Sequence, residues 1–338
     1  MTLCPPRTIP ELSNVSREIF ETQILPAQRP AVLRGLVGDW PLVHASQGEA
    51  AKLYGLLAER ATDRAVKVMV APSAAKGWLH YTDDLNGFNF ERREIGFRDL
   101  LAYLLAHASS LSVAVAMQSI LAAEIIPSFG EDHRLDLLDT DVQPRLWIGN
   151  AVTVAAHYDP SENIACVLAG RRRFTLFPPQ QVENLYVGPL ERTPAGVSVS
   201  LVTNLQDPRA FPRFATALDA AQTAELGPGD AIYIPYLWWH QVESLEPLNL
   251  LANYWWSPSL PERTEPHAAF LHALMAIGAM SEPHRRAWRA LFDHYVFQVG
   301  ENPGAHIPVA HRGILGETDT ETILAMRREL ARLIDPGR

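Results

Sequence analysis

Cysteine is nearly absent: the 338 residues hold only Cys4 and Cys166. A disulfide scaffold is thereby excluded, and so is a zinc site built on several thiolates. Positive charge is also scarce. Lys and Arg number 29 against 38 Asp and Glu, a formal net charge of -9. A non-specific nucleic-acid binder needs a basic surface, so nucleic acid is the least expected partner. Long apolar runs are missing too. The longest contender, residues 268–280, is broken by His272 and Gly278. It falls short of the ~20 residues of a membrane span. The first residues lack the basic stretch and apolar core of a secretory signal. These absences set the expectation of a cytoplasmic protein without membrane contact. No repeat with a period of about 20–50 residues is visible.

What is present is a globular balance, 47% hydrophobic and 20% charged. The chain divides into three regimes. The first mixes helix and strand signals. Residues 16–23, 47–59 and 97–106 have helical patterning, and residues 30–34, 65–71 and 111–117 have strand patterning. After Pro144 the style changes to short apolar runs separated by Gly, Pro and Asn. They fall at residues 145–148, 152–156, 163–169, 173–177, 198–202, 231–234, 241–244 and 248–256. Many short strands so spaced predict an all-β barrel or sandwich, interrupted by a helix at 211–221. From about residue 258 the pattern is helical again, at 261–280, 282–298 and 320–334.

The strongest chemical signal is His157-Tyr158-Asp159 at the end of a strand pattern. On an extended chain, residues two apart point to one face. With a His from another strand they form a 2-His-1-carboxylate set, which holds non-haem iron and leaves open positions. His240, before another β run, is the natural third member. Spacing alone leaves plainer roles open: a strand-end histidine, and an Asp that forms a turn before Pro160.

The surrounding residues carry a resemblance. The stretches are LWIGNAVTVAAHYDPSENIACVLAGRRRFTLFPPQQVENLY (146–186), ELGPGDAIYIPYLWWHQVESLE (225–246) and NYWW (253–256). Near the N-terminus, RPAVLRG (29–35) with Asp39-Trp40, and YTDDLNGFNFER (81–92), add to them. Over most of residues 15–257 the chain resembles the JmjC/cupin-like Fe(II)/2-oxoglutarate-dependent oxygenases, in particular their asparaginyl-hydroxylase-like branch. The resemblance implies a mainly β fold with α. Its core is a double-stranded β-helix (jelly-roll, cupin), with an N-terminal α/β shell and C-terminal helices. It implies a catalytic domain over 1–257, with the core at about 144–257. A helical region over 258–338 follows, which the family often uses to dimerise.

It also implies Fe(II) on His157, Asp159 and His240, with 2-oxoglutarate as cosubstrate. Asn163, Asn253, Thr153 and Gln118 fall near that cosubstrate. Arg172 stands where the family usually has the Lys that pairs with its distal carboxylate. The branch carries hydroxyls where this chain has Val154 and Ala116. The implied activity is hydroxylation of a protein or peptide side chain or of a small molecule. Two rivals stay open: a metal-holding cupin-like binding or regulatory protein without turnover, and a cupin enzyme that needs no 2-oxo acid.

Other features have plainer readings. Of Trp238 and Trp239, one should line the barrel and one face out. Arg171-Arg172-Arg173 alternate faces on a strand, which argues against a nucleic-acid patch. Cys166 reads as a buried thiol. Phe270, Leu271, Leu274, Trp288, Leu291, Phe292, Tyr295 and Val296 give the C-terminal helices more apolar surface than packing on a barrel edge needs. A homodimer interface is the functional reading.

Overall fold

The computed structural model describes residues 6–334, apart from 49, 109–112, 195, 204–209, 258–265 and 318. The expected strand start at Leu111 and helix start at Pro261 lie outside the described residues, as does Cys4.

Eight strands build the core. They are β1 (Pro144–Gly149), β2 (Thr153–His157), β3 (Glu162–Ala169), β4 (Arg172–Phe177), β5 (Gln222–Leu226), β6 (Ala231–Ile234), β7 (Trp239–Ser244) and β8 (Asn249–Trp256). One sheet runs β6-β3-β8-β1 and the other β5-β4-β7-β2, with antiparallel neighbours throughout. This is the double-stranded β-helix. Every residue of β3 is buried, which explains its near-continuous apolar run: a central strand covered on both faces needs no alternation. Between the sheets lie Ala165, Val167, Phe174, Leu176, Ile232, Trp238 and Val242.

The N-terminal part extends the first sheet at both ends. Ala31–Arg34 pairs with β6, and Val113–Met117 pairs with β1 and leads on to Ala65–Pro72 and Glu91–Gly96. The junction at β1 requires glycine, because a Cβ at Gly149 would collide with the Val115 carbonyl oxygen. Helix Phe97–Ala106 buries Phe97, Leu100, Leu101 and Leu104. These are the i, i+3, i+4, i+7 positions of one stripe, and they join the core that includes Leu53, Leu57, Val66 and Val68.

The first expected helix forms at Arg17–Ile19, where the Ser16 hydroxyl accepts from the Ile19 amide, and it continues through a π turn over Phe20–Ile24. The strand expected at 198–202 does not form as such. Val199 and Ser200 make isolated bridges to His157 and Val187. Both tryptophans before His240 are buried, Trp238 between the sheets and Trp239 beneath helix Phe214–Ala220.

The chain separates into two units, Met1–Ser257 and Pro258–Arg338. The second carries helices Pro266–Ile277, Glu282–Tyr295 and Thr320–Ile334, and none of their residues is buried. No described helix is long and apolar enough to cross a membrane.

Candidate metal centre

β2 and β7 are adjacent, and their register sets His157 opposite His240. The pairing runs Val154 to Val242 and then His157 to His240, so β2 spends three residues where β7 spends two. Such a bulge shifts the face on which the following side chains emerge. It brings His157 onto the cavity side together with Val154. The two imidazole centroids lie 4.2 Å apart. Asp159 follows His157 at the strand end, with Oδ2 3.5 Å from His240 Nε2. One ligand atom from each of His157, Asp159 and His240 lies within 4.8 Å of the others. Among the described residues they form the His/Asp/Glu/Cys group able to hold a metal.

Both rings are oriented through the backbone. His157 Nδ1 is 2.9 Å from the Ala155 carbonyl oxygen, and His240 Nδ1 is 3.0 Å from that of Trp238. A carbonyl only accepts, so each Nδ1 carries a proton and Nε2 is the ring nitrogen left to face the cavity. Burial, reinforced by the neighbouring His157, pushes the His240 pKa down to about 4. Its imidazole is therefore neutral at pH 7, the form a metal binds. The turn before His240 is tied to Asp159 as well. Leu237, with φ of 60°, donates its amide to the Asp159 carbonyl at 3.2 Å. A branched residue in the left-handed region is strained by about 1–2 kcal/mol.

The triad opens into a cavity of about 510 Å³. Apolar residues such as Ala165, Phe174, Ile234 and Leu251 form much of the inner wall. Arg172 is on the same wall and only 8% exposed. Its Nε has no hydrogen-bond partner among the described residues, and burial lowers its pKa to about 10, which leaves it charged at pH 7. Its two neighbours behave differently. Arg171 pairs with Glu246 at 2.8 Å, and Arg173 with Glu225 at 2.6 Å and Glu243 at 2.8 Å. The triple-arginine run thus puts two cations into surface ion pairs and one into the barrel, where it has no counter-ion among the described residues.

Asn163, Asn253 and Gln118 all line the cavity. Thr153 does not. It is the neighbour of Val154, which does, and adjacent strand residues face opposite sides. Ala116 is also absent from the wall. Sequence reasoning missed Trp147, Lys67 and Arg64, which line the cavity too. Trp147 sits in an ordinary apolar strand, where core packing is the default reading. Lys67 lies on a strand read only as part of the shell, and Arg64 stands just before it.

A family model described as "Cupin-like domain" matches residues 16–261. The chain is similar to "Lysine-specific demethylase JMJ31" of Arabidopsis thaliana, 26% identical over 81% of this chain and 55% of that protein. It is similar to "Jumonji C domain-containing protein 5" of Drosophila melanogaster, 26% identical over 73% of this chain and 59% of that one. "tRNA wybutosine-synthesizing protein 5" of Danio rerio is 25% identical over 73% of this chain and 74% of its own length. The chain thus spans between half and two thirds of the first two.

Proposed function

The chain belongs to the cupin-like domain family, and from that membership we propose that it is an Fe(II)- and 2-oxoglutarate-dependent oxygenase of the asparaginyl-hydroxylase-like kind. One observation carries the reading: a His-Asp-His set and a buried arginine without a counter-ion among the described residues share one cavity. The donors fit Fe(II), two neutral imidazole nitrogens and one carboxylate being the facial set that leaves coordination positions open. The guanidinium, whose Nε has no partner among the described residues, fits a carboxylate, which its planar fork binds through two parallel hydrogen bonds. Fe(II) with a 2-oxo acid and dioxygen supplies the oxidising chemistry.

The remaining work belongs to the protein. Arg172 anchors the far carboxylate of the cosubstrate and so sets its depth in the barrel. Its five donors on one plane replace the Lys and hydroxyls that the branch uses at this end. The backbone carbonyls of Ala155 and Trp238 hold both imidazoles with Nε2 toward the metal. The apolar wall keeps bulk water from the reacting centre and strengthens each charged contact inside. One dication, one aspartate, one arginine and one dicarboxylate sum to zero charge among the buried groups, which burial favours; Arg64, Lys67 and Glu94 stand at the exposed side of the cavity.

The hydroxylated group is a protein or peptide side chain or a small molecule. Relatives named as lysine-specific demethylases favour a protein substrate. The net charge of -9 weighs against RNA, despite the relative named for tRNA. Anaerobic addition of Fe(II) and 2-oxoglutarate should give a metal-to-ligand charge-transfer band, and admission of air should give succinate. Neither signal would sink the reading. His157→Ala and His240→Ala should each lose iron, measured as bound metal per chain. Tight metal without succinate would favour the metal-holding rival, and turnover that survives removal of 2-oxoglutarate would favour a cupin enzyme of another kind.

A further inference from the structure

Three neighbouring strands, β1, β8 and β3, send polar side chains into the barrel along one line that ends on a metal-binding residue. Trp147 Nε1 donates to Asn253 Oδ1 at 2.7 Å. Asn253 Nδ2 donates to Asn163 Oδ1 at 3.5 Å, and Asn163 Nδ2 to Asp159 Oδ2 at 3.4 Å. The last two contacts are long, so they contribute direction more than energy.

The direction is fixed at both ends. An indole N–H only donates and an ionised carboxylate only accepts. Two amides between such ends satisfy every link in one orientation alone: each accepts with oxygen on the Trp147 side and donates with nitrogen on the Asp159 side. Amide oxygen and nitrogen are otherwise hard to tell apart. Here the chain of partners assigns them. The indole itself is held edge-on against Trp255, with ring centroids 6.0 Å apart.

We infer that Trp147 is a positioning residue for the carboxylate ligand. Its N–H fixes the Asn253 amide, which fixes the Asn163 amide, which presents a donor to Asp159 Oδ2. That oxygen also lies 3.5 Å from His240 Nε2. Without the indole N–H, both amides are free to turn. A turned Asn163 puts its own carbonyl oxygen against the carboxylate and pushes it out of line with the two imidazoles. The inference rests on the metal-binding reading of the triad, and it adds a residue that lies three hydrogen bonds away from Asp159.

The test is Co(II) binding to the full-length apo protein, followed by calorimetry and by the visible absorption of the ion. Trp147→Phe keeps the aromatic bulk and removes the N–H. It should weaken Co(II) binding about tenfold, at the low end of the ~10–100-fold cost of losing an outer-shell partner. Asn253→Asp separates orientation from charge. An added carboxylate near a cation site strengthens binding by simple electrostatics. As an acceptor-only group, however, it draws the Asn163 N–H away from Asp159, so the expected result is weaker binding and a changed absorption band.

The double variant Trp147→Phe with Asn253→Leu should bind no worse than Asn253→Leu alone, within about twofold, because the two act on one chain. Unchanged affinity in Trp147→Phe, tighter binding in Asn253→Asp, or additive losses in the double variant would each overturn the inference while leaving the metal site standing. A wild-type chain that binds no Co(II) overturns the functional reading and this inference together.

Discussion

Arg172 carries its charge into a barrel that offers it no counter-ion among the described residues, and that single residue links stability to function. A buried cation without a partner costs folding free energy, whereas an apolar residue of similar length costs little. Arg172→Met should therefore stabilise the apo protein by about 1 kcal/mol or more, read as a higher Tm. The same substitution removes a charge-assisted contact worth about 1.5–3 kcal/mol, so 2-oxoglutarate affinity should fall at least tenfold. Arg172→Lys keeps the charge and loses the fork, and should fall between the two in affinity. A Met variant that gains stability and binds the 2-oxo acid as before would remove Arg172 from the site. Much of this was legible in the sequence. Alternation puts the middle arginine of three on the opposite face from its neighbours. The absence of a counter-ion was not legible, because it depends on which strands enclose the barrel.

The helix Pro41–Ser46 shows how elements distant in sequence complete one another. Its N-cap residue, Trp40, has no side-chain acceptor for the free amides of the first turn. His133 supplies one: its Nε2 accepts from the Leu42 amide at 3.3 Å, and its Nδ1 is 3.2 Å from the Phe129 carbonyl oxygen. Nδ1 is thus the protonated nitrogen, and a second proton on Nε2 would face the Leu42 N–H. Burial lowers the His133 pKa below its ordinary 6.5. The unfolded chain then takes up the proton first as pH falls, so the stabilisation is complete above about 6.5 and is lost progressively below it. Urea midpoints measured between pH 7.5 and pH 5 should fall for the wild type. His133→Gln, which does not titrate, should show a shallower fall, and a parallel one would refute the role.

Such a partnership is invisible in sequence, where His133 has no patterned neighbour. The same limit applies to strands. The core strands were legible as short apolar runs because buried strands need such side chains. Gln222–Leu226 and Glu91–Gly96 were not, since a strand at or near a sheet edge keeps polar and charged residues. The bulge that turns His157 inward lies in the pairing of two strands, so His157, Asp159 and His240 were named from spacing and resemblance rather than from the feature that aligns them.

At the scale of the whole molecule, the C-terminal unit poses a burial problem. Its three helices have no buried residue, and Met275, Phe297 and Leu333 are 69%, 66% and 63% exposed. A segment of this size gains stability only by removing apolar surface from water. We propose that a second copy of the chain covers these helices, because apolar stripes of this kind fit a self-complementary interface and a second copy is present wherever the chain is. Sedimentation should return twice the 37.5 kDa of one chain. Leu274→Glu with Leu291→Glu, one charge on each of two exposed apolar stripes, should return the monomer. A wild-type monomer at micromolar concentration would overturn the proposal. Salt gives a sharper reading of the same interface. Each copy carries a net charge of -9, so two copies repel at long range. Screening relieves that repulsion and leaves apolar contact intact. Dimerisation should therefore tighten as salt rises, whereas an interface held by ion pairs would weaken.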